Sequence, residues 1–337
     1  QNFGRTSNKG IEFNVDALIV NKKDFSLSAS FNIGFNKNRV EKFKNGESNY
    51  KTYSSKWNGN SAAPFDDYII REGEAVGQMY GYITGGMYTF DDFDYIGTGT
   101  YPYRLKGDTD GSKTEAAASL IGAKYFGPGS LKLVDKDGNI ATSTDAKTVI
   151  GNANPDLIGG FNLTARYKGF DLSAFFNFSI GNDVYNANKI DNSCYSGSRK
   201  YNNLVEEMKN RFTYIDPATG YLAYNDPVRL AEINKNATIW SPYMTTAVLH
   251  SWAVEDGSFL RFNNLTLGYT FPKRWVKKLG LTNLRIYGTV YNVCVITGYS
   301  GFDPEVSTRN STAMTPGVDY SAYPKSRSFI GGVNVSF

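Results

Sequence analysis

Arg327-Ser-Phe-Ile-Gly-Gly-Val-Asn-Val-Ser-Phe337, the last stretch of the chain, sorts its side chains by parity. Phe329, Gly331, Val333, Val335 and Phe337 fall on one side; Ser328, Ile330, Gly332, Asn334 and Ser336 fall on the other. Successive side chains of a β-strand point to opposite faces, so this is a strand with one greasy face and one largely wet face. It ends on an aromatic residue. About 9–11 residues of tilted strand cross a bilayer core, with aromatics at both interfaces. A barrel strand and an ordinary sandwich strand both fit this stretch alone.

The pattern recurs upstream. Ile11, Phe13, Val15, Ala17 and Ile19 alternate with Glu12, Asn14 and Asp16. After the polar turn 21–24, Phe25, Leu27, Ala29, Phe31, Ile33 and Phe35 alternate with Ser, Asn and Gly. A second hairpin, Leu157–Tyr167 and Phe170–Ile180, turns at Lys168-Gly169, with Phe175 as the exception on its polar face. A weaker pair, Phe65–Glu72 and Val76–Tyr88, flanks the joint 73–75. Ser258–Phe271 changes parity between Phe262 and Leu265, which predicts a bulge near Asn263-Asn264. The joint 272–282 contains Trp275–Leu279, readable as one amphipathic helical turn, and Asn283–Ile296 alternates again.

Composition agrees. Of 337 residues, 24 are Tyr, 22 Phe and 34 Gly, which suits strands, turns and aromatic belts. No run reaches the roughly 18 apolar residues of a membrane helix, a test that barrels escape. The net charge of +4 is modest and the basic residues are scattered, so nucleic acid is not an expected partner. One histidine, His250, and two distant cysteines, Cys194 and Cys294, match no metal motif.

The joints decide between barrel and sandwich. Short joints (21–24, 73–75, 168–169, 272–282) alternate strictly with long ones (about 36–64, 89–156, 181–257, 297–326). Outer-membrane barrels have short periplasmic turns and long extracellular loops. The expected fold is therefore all-β, a transmembrane antiparallel barrel, with Phe337 at the periplasmic rim. The count is nine strands. Bacterial barrels have an even number, and an open edge in lipid leaves unpaired N–H and C=O groups. The sheet is expected to need further strands upstream of Gln1.

Several segments, in this order, resemble the C-terminal part of SusC-type TonB-dependent outer-membrane transporters of Bacteroidota. They are Thr6–Phe13 (TSNKGIEF), Gly77–Ile83 (GQMYGYI), Thr148–Asp156 (TVIGNANPD), Tyr167–Phe176 (YKGFDLSAFF) and Gly181–Asn186 (GNDVYN). Val254–Arg261 (VEDGSFLR), Leu265–Thr270 (LTLGYT), Tyr299–Glu305 (YSGFDPE) and Gly317–Pro324 (GVDYSAYP) complete the series. The stretch Lys132–Ile140 departs from the family, which often has a longer acidic, Gly-containing loop there. The resemblance implies a barrel of about 22 strands closed by a plug. It also implies a TonB box that engages TonB and the inner-membrane energising complex, and a SusD-like lipoprotein lid. Plug and TonB box have no match in this sequence. The implied function is active import of a glycan or oligopeptide. The alternative is a cell-surface β-protein for binding or adhesion without transport; a third reading is a surface glycosidase.

No nucleophile with its base is evident, so an enzyme is not expected and no cofactor is called for. Asp135, Asp137 and Asn139 beside Gly138 miss the calcium-loop spacing and read as a turn. The acidic pairs Asp66-Asp67 and Asp91-Asp92 read as solvated loop residues. Substrate contacts are expected from Tyr80, Tyr82, Tyr287 and Tyr291, on the polar parity of their strands, and from the mouth loop with Tyr299, Phe302, Asp303 and Glu305. A tyrosine offers a flat apolar ring and a hydroxyl; the four tyrosines are also readable as wall packing against the plug or as interface-belt residues, the more ordinary reading, and the loop residues as part of a structural loop fold. Trp275 and Phe337 read as membrane-interface anchors.

Overall fold

The computed structural model describes residues 4–43, 48–58, 65–195, 203–308 and 312–337. Its frame is one seven-stranded antiparallel sheet. The strands are β1 (Gly4–Asn21), β2 (Phe25–Phe43), β3 (Leu157–Tyr167), β4 (Phe170–Ile180), β5 (Phe259–Thr270), β6 (Asn283–Thr297) and β7 (Ser328–Ser336). Each strand pairs with its neighbour in sequence, and the sheet is open, with β1 and β7 at its edges.

Register carries the alternation across the sheet. Phe13 and Val15 of β1 face Ile33 and Phe31 of β2, which face Gly159 and Phe161 of β3. Phe161 meets Phe176 of β4, and Phe176 meets Phe262 of β5; the three rings stack at 4.4 and 4.2 Å. Phe13, Val15, Leu163, Leu267, Val333 and Phe329 all stand exposed on this outer face. An apolar face of that extent is unsuited to water and suited to hydrocarbon. The expected bulge is present: register shifts between Phe262 and Asn264.

Two strands expected in the wall are not there. Phe65–Glu72 and Val76–Tyr88 instead give Tyr68–Arg71, Gln78–Gly81 and Ile83–Met87, outside the seven-stranded sheet. The first two belong to a separate four-stranded sheet with Tyr50–Tyr53 and Thr148–Asn152. The physical reason is packing within the layer: Tyr68, Ile69 and Ile70 are consecutive and all inside, and Met79 is buried between half-buried Gln78 and Tyr80. A continuous apolar run marks a fully buried strand, not a half-wet one. Among the described residues the wall count is therefore seven rather than nine. Residues 36–43 continue β2, and the two long joints around the missing pair become one insertion between β2 and β3. The short–long alternation survives.

The long insertions are not loose loops. They share one hydrophobic core in which Tyr88, Phe93, Tyr103, Phe126, Phe212, Tyr214, Tyr224 and Trp240 pack edge to face or tilted. This layer is pinned to the extended end of β2. Val40 donates to the Glu74 carbonyl at 2.9 Å and Gly73 to the Val40 carbonyl at 2.7 Å. Asn38 bridges the Val76 N–H and the Asn154 side chain. At the other end, the joint before β6 holds the helical turn Lys273–Val276 with Trp275 half exposed beside Phe271. Among the described residues no helix is long and apolar enough to cross a membrane.

Candidate functional site

Where the wall meets the overlying layer, a cavity of 750 Å³ opens on the inner face. Glu12 and Asn14 of β1, Asn32 of β2 and Asn177 of β4 form its wall side; Asp183 and Glu305 come from the layer. Parity explains the polar lining: these wall residues are the ones between the outer hydrophobics. Burial holds the Asp183 carboxyl above the usual carboxylate range, against the Asn152 N–H at 2.7 Å, and nearby Asp256 and Asp156 add to the rise.

Glu305 is the one candidate substrate residue that lines this cavity. It is held by Arg261, whose Nε lies 3.4 Å away, and by Lys325. Arg261 is a wall residue of β5 and only 2% exposed. Its guanidinium donates to Asp303 Oδ1 at 2.6 Å and to Asn292 Oδ1 at 2.8 Å, and the Glu305 N–H donates to the same Asp303 oxygen at 2.9 Å. Asp303 is thus a buried partner of the wall, not an exposed contact. Asn292 sits with φ of 52° where β6 changes register opposite the β5 bulge.

The other candidates scatter. Tyr287 and Tyr291 do lie on the inner face of β6. Tyr287 lies over Gly332 of β7, where a Cβ would come within 2.3 Å of its ring, and Arg285 covers it at 5.0 Å. Tyr291 is 45% exposed. Tyr80 and Tyr82 are not wall residues at all, for the reason given above; Tyr82 is fully buried and Tyr80 lies under Arg71 and Lys147. Tyr299 is buried with its hydroxyl donating to Asp319 at 2.7 Å, whereas Phe302 stands 80% exposed. Phe337 is exposed next to the end of β7.

The remaining polar groups are structural. His250 is buried against Trp252 and Trp240, with Nδ1 2.8 Å from Thr84 Oγ1; burial, then Lys189, pushes its pKa down to about 3. Asp135 closes its own turn, accepting the N–H groups of Asp137 and Asn139, with Gly138 at φ 84°. Asp92 pairs with Lys132 at 2.8 Å. Asp67 differs from the solvated residue expected. It is buried, and its carboxylate accepts the Ser55 N–H at 2.7 Å and the Ser55 hydroxyl at 2.5 Å. Burial pushes Asp67 up to about 7, while burial brings the neighbouring Lys147 down to about 8.

Sequence reasoning missed Arg261, Asn177, Asp183 and Glu12. Arg261 had a signal: it sits where the strand parity breaks.

No family model matches the sequence. Along its whole length the chain is 31% identical to TonB-dependent receptor P3 of Formosa agariphila and 25% identical to TonB-dependent receptor SusC of Bacteroides thetaiotaomicron. It covers 29% and 27% of those two proteins. Among solved structures, the RagAB peptide importer in its open-open state superposes over 98% of the chain and 29% of its own, with TM-score 0.66 at 20% identity. Along its whole length the chain thus resembles a segment of the SusC-type TonB-dependent receptors, and it shares the antiparallel fold of the RagAB structure.

Proposed function

We propose that the chain forms an arc of the wall and the extracellular layer of an outer-membrane importer. In this reading the seven strands join others of the same receptor to close a barrel. The apolar outer face meets lipid, Trp275 and Phe337 anchor the periplasmic interface, and the cavity beneath the layer admits substrate. The substrate is a glycan or an oligopeptide, covered by a SusD-like lipoprotein and drawn inward by TonB-driven movement of a plug. The observation that carries the reading is the register-matched apolar belt backed by a polar inner face.

Deleting the gene and supplying oligopeptides or glycans as sole nutrient tests it. Loss of growth on one class, reproduced by disrupting TonB, is the expected result. Unchanged uptake with lost surface attachment would make the protein an adhesin instead.

A further inference from the structure

A small sheet in the outer layer orders Val254–Asp256, Asp183–Asn186 and Val318–Asp319 side by side. Glu255 is the register partner of Val184, and Asn186, two residues on, shares that face. Asp319 is the partner of Asn186 on the opposite side. The row is therefore Glu255, Asn186, Asp319.

Asn186 and Asp319 are 3% and 2% exposed. The Asn186 Nδ2 group donates to Glu255 Oε1 at 3.1 Å and Ser300 Oγ at 3.4 Å. An ionised carboxylate only accepts, which fixes the amide orientation, with the nitrogen towards Glu255 and Oδ1 turned away from it. That Oδ1 has no hydrogen-bond donor. On Asp319, Oδ2 takes the Tyr299 hydroxyl, and Oδ1 likewise has no donor. Two buried acceptors thus share a face on adjacent strands with no donor among the described residues. Glu255 has its own cation, Lys189 at 3.3 Å, whereas Asp319 forms no ion pair among the described residues. A buried carboxylate without a compensating cation is strongly unfavourable.

We propose that Asp319 Oδ1 and Asn186 Oδ1 are two ligands of a calcium ion in the outer layer. Carboxylate and amide oxygens are hard ligands, and calcium tolerates an irregular shell completed by carbonyls and water where magnesium demands a strict octahedron. The ion would tie the insertion after β4 to the one after β6. Extracellular calcium modules bind at about 10⁻⁴–10⁻³ M, the range to examine. The inference is independent of what the receptor transports.

The test is a terbium titration of the detergent-purified full-length receptor after chelator treatment, with Tyr299 beside the ion as a sensitiser. The wild type is expected to give sensitised emission that calcium displaces. Asp319→Asn is expected to weaken calcium competition about tenfold or more, and Asn186→Ala, which removes the second oxygen ligand, to weaken it severalfold. The Asn186 variant decides the matter if Asp319→Asn fails to fold. No sensitised emission, as expected if water alone bridges these acceptors, or emission and calcium competition that neither substitution changes, as expected if the ion lies elsewhere, would overturn the proposal.

Discussion

Arg261 shows what one wall residue does for the layer above it. It is buried together with Asp303, and removing one partner of a buried pair leaves the other charge unpaired at a cost of about 3–5 kcal/mol. Arg261→Met is expected to lower thermal stability by that order in detergent. Arg261→Met combined with Asp303→Leu is expected to recover most of the loss, since no charge is then stranded; a double variant as unstable as the single one would contradict this. Gly129 is a second sensitive position. Its φ is 83°, and a Cβ would sit 2.1 Å from the ring of buried Phe212. Gly129→Ala combines left-handed strain with a clash and is expected to cost about 2–4 kcal/mol by thermal melting. Asp67 carries a pH dependence. Its folded pKa of about 7 lies above the ordinary carboxylate value of 3.8, so its contribution to stability is full below about 4 and is lost as pH rises through about 7. His250 acts oppositely, losing stability as pH falls from 6.5 towards about 3. Asp67→Asn, which keeps an acceptor for the Ser55 N–H, is expected to flatten the decline towards pH 7 in melting curves recorded across that range.

At the scale of elements, legibility followed periodicity. β1 to β7 were readable because each has one apolar and one polar face, and such strands write a period of two into the sequence. Tyr68–Arg71 was misread because it buries both faces, and Gln78–Gly81 because its alternating buried side, with Met79, packs into the layer's own core. The compact layer was read as loops because its short strands and aromatic contacts join residues far apart in sequence, as Phe126 and Tyr224 are. The site was legible in part for the same reason. Glu305 lay in a recognisable motif, but its holder Arg261 and the cavity partner Asn177 are brought to it by register alone. The outer strand faces give their own expectation. Leu163→Arg on the lipid face is expected to cost about 2–4 kcal/mol of barrel stability, whereas Thr164→Arg on the inner face costs little, read as the folded fraction on heat-modified gels.

At the scale of the whole molecule, the sheet and the layer divide the work. The sheet sets an apolar outer face against a polar inner one, and its long β1 and β2 extend past β3 to carry the layer. The layer, with its own aromatic core, roofs the inner face and holds Glu305 over the cavity. Everything proposed for the receptor depends on the outer face of that sheet lying in lipid. Cysteine labelling in outer-membrane vesicles tests this most directly, with exposed Cys294 first replaced by Ser. Single cysteines at Phe13, Leu163 and Val333 sample the outer face, and those at Asn14, Thr164 and Asn334 the inner one. The account predicts that the inner set reacts with a water-soluble maleimide while the outer set reacts only with a lipid-soluble one. Equal reaction of both sets with the water-soluble reagent would contradict it.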